Sequence, residues 1–303
     1  MAFTAQDVKA LRERTGCGMM DCKKALTEAN GDMDAAIDFL REQGLAKQAK
    51  KAGRIAAEGI ALAITAEDNT VGCVIEVNAE TDFVAKNADF QAFVNTCAQT
   101  VIAKAPADVD ALLAMQAVGS EETVAALLQE KVLTIGENIK VRRFERVEAP
   151  CVAYVHAGGK IGVLVKFDTD LTPSDPAFVA YGKDIAMQIA ALNTPYLDKA
   201  SVPAEVIEHE KKIMTEQVMN EGKPAQIAEK IVMGKIGKYY KENCLIEQEF
   251  VKDNKMTIKQ YTDQTAKELG GKIEITGFIR FEKGEGIEKR QDDFAAEVAN
   301  MVK

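Results

Sequence analysis

The spacing of apolar residues changes character along the chain. Over residues 1–45 it is helical: Val8 and Leu11, then Cys22, Ala25, Leu26 and Ala29, then Ala36, Ile37 and Leu40. This spacing predicts three short helices. Thr4 and Asp7 resemble a capping pair for the first, and the GCG run at 16–18 breaks it. Asn30-Gly31 stops the second, Asp32 caps the third, and Gly44 is expected to end it. Roughly 45 residues enclose only a very small core, so these helices predict an accessory module.

From residue 58 the period shortens to that of strands. GIALAITA and VGCVIEVN, joined by EDNT, predict a hairpin. The polar loop AETDFVAKNADF leads into a helix, AFVNTCAQTVIAKA. Residues 105–122 are Ala-rich and show no clear pattern, TVAALLQEKVL is helical, and IGENIKVRRFERVE is a turn and a strand. APCVAYVHA and IGVLVKFDTD form a second hairpin around GGK, and DPAFVAYGKDIAMQIAAL a second long helix. VGCVIEVN (71–78) thus matches IGVLVKFD (161–168), and FQAFVNTCAQTV (90–101) matches PAFVAYGKDIAM (176–187), in apolar pattern. Two similar α+β lobes are the simplest interpretation.

Residues 203–242 predict a helical hairpin turning at NEGKP, with Val206, Ile207, Ile213, Met214 and Val218 on one helix and Ile227, Ile231, Ile236 and Tyr239 on the other. Such a pair either protrudes or packs on the core, and its pattern leaves both open. IKQYTDQTAKELGG predicts another helix and KIEITGFIRFEKGEG a long strand. DDFAAEVANMVK predicts a terminal amphipathic helix with Phe294, Val298 and Met301 on one face.

Composition narrows the chemistry. No apolar run reaches 18 residues, so no membrane segment is expected, and MAFTAQDVKA lacks a signal-peptide core, which points to the cytoplasm. The net charge of −9 disfavours a surface adapted throughout to nucleic acid. Residues 1–60 hold ten Lys/Arg against nine Asp/Glu, and 41–54 five against one. That basic run is either a nucleic-acid stripe or a solvated helix or linker. It lacks the interleaved aromatics of a single-strand binder, which favours the second.

The six cysteines include no CxxC, and only Cys17 and Cys22 are close together, so zinc is not expected and buried thiols are. His156 and His209 stand alone. No GxSxG, GxxxxGK[ST] or strand-borne GxGxxG occurs. These absences weigh against an enzyme and against a bound cofactor.

Five stretches are more specific than the architecture: LRERTGCGMMDCKKALTEANGDMDAAIDFLR (11–41), EVNAETDFVAKN (76–87), IGENIKVRR (135–143), HAGGKIGVLV (156–165) and TGFIRFEKGEGIEK (276–289). Together, and in this order, they resemble the elongation factor Ts family, whose members exchange the nucleotide of the translational GTPase EF-Tu. Lys160 stands where that family often has Arg, which keeps a cation without its planar fork.

The resemblance implies a division into a three-helix module of ubiquitin-associated type with its linker (1–55), a first core lobe (56–149), a second (150–202 with 250–285), an inserted helical hairpin (203–249) and a C-terminal module (286–303). It also implies a mechanism. Thr81, Asp82, Phe83 and Val84 form the exchange loop, and the Asp-Phe pair is expected to wedge between helices of the GTPase near its Mg²⁺. On the residues alone Phe83 reads more readily as a core plug, with Asp82 capping the next turn. Met19, Met20, Lys23 and Arg12 are expected to grip the GTPase domain, although one methionine would ordinarily fill the core. Ile135 and Gly136 are placed on the same interface, His156 against another domain of EF-Tu or as a solvated turn residue, and Phe294 as an anchor of the last helix. EF-Tu is then the partner, with no direct nucleic acid and no membrane. The competing readings are an adaptor whose three-helix module recognises a ubiquitin-like or helical partner, a nucleic-acid binder using 41–54, and an enzyme acting through acid pairs.

Overall fold

The protein is represented by a computed structural model. It describes residues 3–222 and 224–288, with only the backbone of 45–50, 225 and 226. The expected terminal helix, with Phe294, lies outside the described residues.

Three helices open the chain: α1 (Ala5–Thr15), α2 (Met19–Glu28) and α3 (Met33–Lys51). The Thr4–Asp7 capping box is present, and Gly16 ends α1 at φ 66°. Leu11, Cys22, Leu26, Ala36 and Leu40 make the module's own small core. Helix α3 does not stop at Gly44 as expected but continues to Lys51. The Ala and Lys residues that follow are good helix formers. Gly44 is buried facing α7 (Val124–Ile135), where a Cβ would make only ordinary contacts, 3.5 Å from the Gln129 carbonyl oxygen and 3.8 Å from Leu133 Cβ.

The first sheet has the order β1 (Glu58–Thr65), β2 (Val71–Ala79), β3 (Lys140–Glu148), all antiparallel. Between β2 and β3 run a single turn α4 (Asp82–Ala85), the long α5 (Ala88–Lys104), a short α6 (Val109–Ala114) and α7. Phe90, Phe93, Val94 and Val101 of α5, with Val124, Leu128 and Val132 of α7, bury themselves with Ile75 and Val77 of β2. Helix α6 falls in the stretch that showed no pattern. Asp108 caps it by accepting from Ala111 N–H at 2.8 Å, and Leu112 anchors it in the core.

The second sheet repeats this plan in the order β4 (Cys151–His156), β5 (Ile161–Thr169), β8 (Ile273–Glu282), again antiparallel. Its excursion contains α8 (Pro176–Leu192), α9 (Ala204–Asn220), α10 (Ala225–Asn243), a 3₁₀ turn (Leu245–Glu247), the small pair β6 (Glu249–Phe250) and β7 (Asp253–Thr257), and α11 (Ile258–Leu269). Phe178, Tyr181 and Ile185 of α8 pack on Val163, Val165 and Phe167 of β5. Both sheets carry a bulge at the same place in the repeat, at Glu76/Val77 and at Lys166/Phe167.

The other faces of the sheets pack on each other through Ala61, Ala63, Val74, Cys151, Leu164 and Ile279. Two glycines at equivalent repeat positions permit this approach. A Cβ on Gly72 would lie 2.7 Å from Leu164 Cδ1, and one on Gly162 3.0 Å from the Ala61 carbonyl oxygen. The layers run helix, sheet, sheet, helix, a mixed helix-and-sheet fold of the α+β class with its helices at the N-terminus, as expected.

Helices α9 and α10 close on each other through Val218, Ala228, Val232 and Ile236. Val202, Ile207, Cys244 and Tyr196 gather at their root, where Leu245 N–H donates to the Tyr196 carbonyl at 2.9 Å. Both clusters draw only on residues 196–244, so the hairpin stands on its root rather than lying on either sheet.

Candidate functional site

Strand β2 ends at Ala79, and the chain makes one helical turn, α4, before α5 begins. Phe83 on that turn is 77% exposed, whereas Val84 beside it is buried in the first core. Phe83 is therefore not a core plug, and Val84 is an anchor whose side chain is not offered to a partner. Asp82 caps nothing. It pairs with Lys86 at 3.0 Å, and that hydrogen bond holds its carboxyl below the ordinary value. The same lysine lies over the Phe83 ring, 5.8 Å from its centre.

The loop before Phe83 is clasped from both sides. Thr81 occupies the N-cap position of α4 but makes no capping bond. Its hydroxyl donates instead to Glu137 Oε1 at 2.7 Å, and Glu137 Oε2 accepts the Glu80 and Thr81 N–H groups, each at 3.0 Å. In return Glu80 Oε1 accepts the Asn138 N–H at 2.6 Å and pairs with Arg54 at 3.4 Å. Asn138 Nδ2 donates to the Arg54 carbonyl at 2.8 Å, and Lys51 Nζ donates to the Gly136 carbonyl. Neither Glu80 nor Glu137 stood out in the sequence. The only signal was a Glu directly after a glycine fit to end a helix, and Gly136 does end α7, at φ 86°.

Ile135 is half-buried and packs on the first core, while Gly136 is exposed. Gly16, Phe83, Thr134 and Ile135 line one shallow cleft of about 380 Å³ between the N-terminal module, α4 and the end of α7. The structure thus brings residues 81–84 and the 135–136 turn together. Met19 (48%), Met20 (73%), Lys23 and Arg12 are all exposed on the module. The expectation that one methionine fills the core fails, because Cys22, Ala25 and Leu26 already complete the α2 side of that core.

His156 ends β4, on the second sheet, and is half-buried; its Nδ1 lies 3.0 Å from the Tyr154 hydroxyl. It opens a tight turn in which Ala157, Gly158 and Gly159 all have positive φ. That turn abuts the start of β1, where Ala61 N–H donates to the Gly159 carbonyl at 2.8 Å. Lys160 Nζ is 3.7 Å from Glu282.

A buried charge cluster holds this end of the two sheets together. Glu76 is fully buried and accepts from Arg142 (2.9 Å), Arg143 (2.6 Å), Asn78 (3.0 Å) and the Gly284 N–H (2.7 Å). Burial by itself raises the Glu76 carboxyl. The Gly284 N–H, Asn78 and the two guanidinium groups outweigh it and hold the carboxyl below its ordinary range. Arg143 also lies 4.1 Å over the Phe281 ring and pairs with Glu285 at 3.1 Å, tying β3 to the segment after β8.

The basic side chains of this run that the structure describes are engaged within the protein. Arg41 pairs with Glu122 at 2.6 Å, Lys51 bonds Gly136 and Arg54 bonds Glu80. Among the described residues no cluster of His, Cys, Asp and Glu could hold a metal ion, and no helix is long and apolar enough to cross a membrane.

Residues 80–285 match the family model "Elongation factor TS". The whole chain is similar to proteins called elongation factor Ts. That of Clostridium kluyveri is 50% identical over 304 aligned positions, covering 99% of both chains. That of Nitratiruptor sp. is 51% identical over 309, and that of Syntrophotalea carbinolica 47% identical over 306, each covering both chains completely. Agreement at this level from end to end shows that the chain belongs to the elongation factor Ts family of translation elongation factors.

Proposed function

We propose that this chain is a guanine nucleotide exchange factor that binds EF-Tu·GDP and promotes release of GDP, so that GTP can bind. The observation that carries the reading is Phe83: a largely exposed aromatic ring, next to an ionised Asp82, on a loop clasped from behind by hydrogen bonds. Burying such a ring against a partner is worth about 1.5–3 kcal/mol. That is enough to favour a displaced arrangement of packed helices, because packed elements switch between discrete states.

In this reading Phe83 and Asp82 displace helices of the GTPase domain near its Mg²⁺. The ion demands close octahedral geometry, so small shifts of its supports weaken it. With the metal weakened, the diphosphate loses its main charge compensation and leaves. No covalent step occurs. The factor stabilises the nucleotide-free GTPase, and linkage requires that nucleotide weaken the factor's grip by the same ratio. Met19, Met20, Lys23 and Arg12 form a second contact from the N-terminal module, Ile135 and Gly136 border the wedge, and His156 presents the second lobe to another domain of EF-Tu.

The test mixes the purified chain with EF-Tu carrying fluorescent GDP and chases with excess unlabelled GDP. The reading predicts release that accelerates with factor concentration and then saturates. A chain that binds EF-Tu without accelerating release is an adaptor, and that outcome overturns the proposal. The nucleic-acid reading would instead show steeply salt-dependent RNA affinity. The internal pairing of Arg41, Lys51 and Arg54 argues against it.

A further inference from the structure

We infer that Glu137 is a positioning residue for exchange: its carboxylate sets the direction in which Phe83 leaves the protein. The inference rests on the exchange reading above and deepens it.

Helix α4 has four residues, a single turn, and one isolated turn cannot hold its own geometry. The residue that ordinarily steadies such a turn is the N-cap, yet the Thr81 side chain makes no capping bond. Its hydroxyl is committed to Glu137, together with two successive backbone N–H groups, so three hydrogen bonds on one carboxylate fix the chain immediately before Asp82 and Phe83. Bonds to an ionised acceptor are stronger than neutral ones. On the far side of the turn Val84 and Ala85 are buried, which completes the hold.

Glu137 itself follows Gly136, whose left-handed conformation ends α7. The carboxylate therefore references the Phe83 loop to the end of α7, where Ile135 lies. The reciprocal bond from Asn138 N–H to Glu80, and the bond from Asn138 Nδ2 to the Arg54 carbonyl, bring the chain leaving α3 into the same clasp. Wedge, α7 turn and N-terminal module are thus indexed to one another at Glu137–Asn138. Glu137 touches no reacting group; it acts through Phe83.

The experiment measures GDP release from EF-Tu against concentration of the full-length factor, giving a plateau rate and a half-saturating concentration. It compares the parent chain with Glu137→Ala, Glu137→Gln, Thr81→Val, Phe83→Ala and the double variant Phe83→Ala/Glu137→Ala. Loss of orientation at a contact of this kind predicts that Glu137→Ala lowers the plateau about tenfold while half-saturation moves by less than about threefold. Glu137→Gln, which keeps one acceptor oxygen, and Thr81→Val, which loses one bond of three, fall between it and the parent. The double variant is no slower than Phe83→Ala alone, because residues acting as one unit are not additive.

An unchanged plateau for Glu137→Ala overturns the inference. So does a rise in half-saturation at full plateau, which is the mark of a merely structural role, and so does a double variant slowed by the product of the single effects. If Glu137→Ala does not fold, Thr81→Val decides, and an unchanged plateau there overturns the inference equally. Phe83→Ala separates the two levels. If it releases GDP like the parent, the Phe83 wedge falls and this inference with it, while exchange by the parent chain stands. If it is slow while Glu137→Ala is not, this inference alone fails.

Discussion

Phe83 forgoes the roughly 1.5–3 kcal/mol that burying a large apolar side chain contributes, and it does so next to Val84, which is buried. Sequence alone left both fates open for Phe83, because a polar loop ahead of a helix can turn either neighbour inward. What settles it is the clasp at Thr81, built with a residue 56 positions away. Such a partner is invisible to local pattern. The same limit hid Glu76: a lone acid in an apolar strand gives no notice that two arginines will reach it from β3. This cluster yields a pH prediction. The folded carboxyl lies below its ordinary value of 4.5, so its contribution is fully present above that pH and is lost as pH falls through the lower folded value. Thermal unfolding from pH 7 down to pH 3, with Glu76→Gln as comparison, should show a shallower acid limb in the variant; parallel limbs would contradict this. At pH 7 Glu76→Ala should cost about 3 kcal/mol, since it removes the buried carboxylate that accepts from both guanidinium groups, Asn78 and the Gly284 N–H.

At the scale of elements, caps and stripes told most of the story. The Thr4–Asp7 box, the glycine stop after α1 and the shift to strand period at residue 58 are all present in the structure. Gly44 reads as a helix end, yet α3 runs through it, because the Ala and Lys helix formers beyond it outweigh the roughly 1 kcal/mol that one interior glycine costs. Helix α6 was lost among alanines, with only Asp108 to announce it. The two glycines inside α10 are a contrast, since nothing lies within 4 Å of a Cβ placed on Gly234 or Gly237. Changing either to Ala should stabilise the arm by about 0.8–1 kcal/mol, the helix-propensity difference. Protection of α10 amides from hydrogen exchange would report it, and a loss of protection would contradict it.

Across the whole molecule the weak internal repeat has a physical counterpart in two sheets of the same strand plan, bulged at the same place and packed back to back. The sequence could match the apolar patterns but could not show that Gly72 and Gly162 are the points where the sheets meet. Gly72→Ala should therefore destabilise the protein by about 1–3 kcal/mol in chemical denaturation, the usual cost of overpacking, whereas Gly44→Ala, whose added methyl meets only ordinary contacts, should not destabilise it. Equal losses at both positions would contradict this account of the packing. The overall charge of −9 explains none of the proposed mechanism. The account depends instead on one small projection, the Phe83 turn, held from behind by the Glu137 carboxylate. Its most direct test is GDP release from EF-Tu driven by the parent chain and by Asp82→Ala/Phe83→Ala, with both melting temperatures measured. The account predicts unchanged melting and a plateau release rate at least about tenfold lower for the double variant, a loss of about 1.4 kcal/mol or more in transition-state stabilisation. A double variant that folds normally and releases GDP at the parental rate would contradict it.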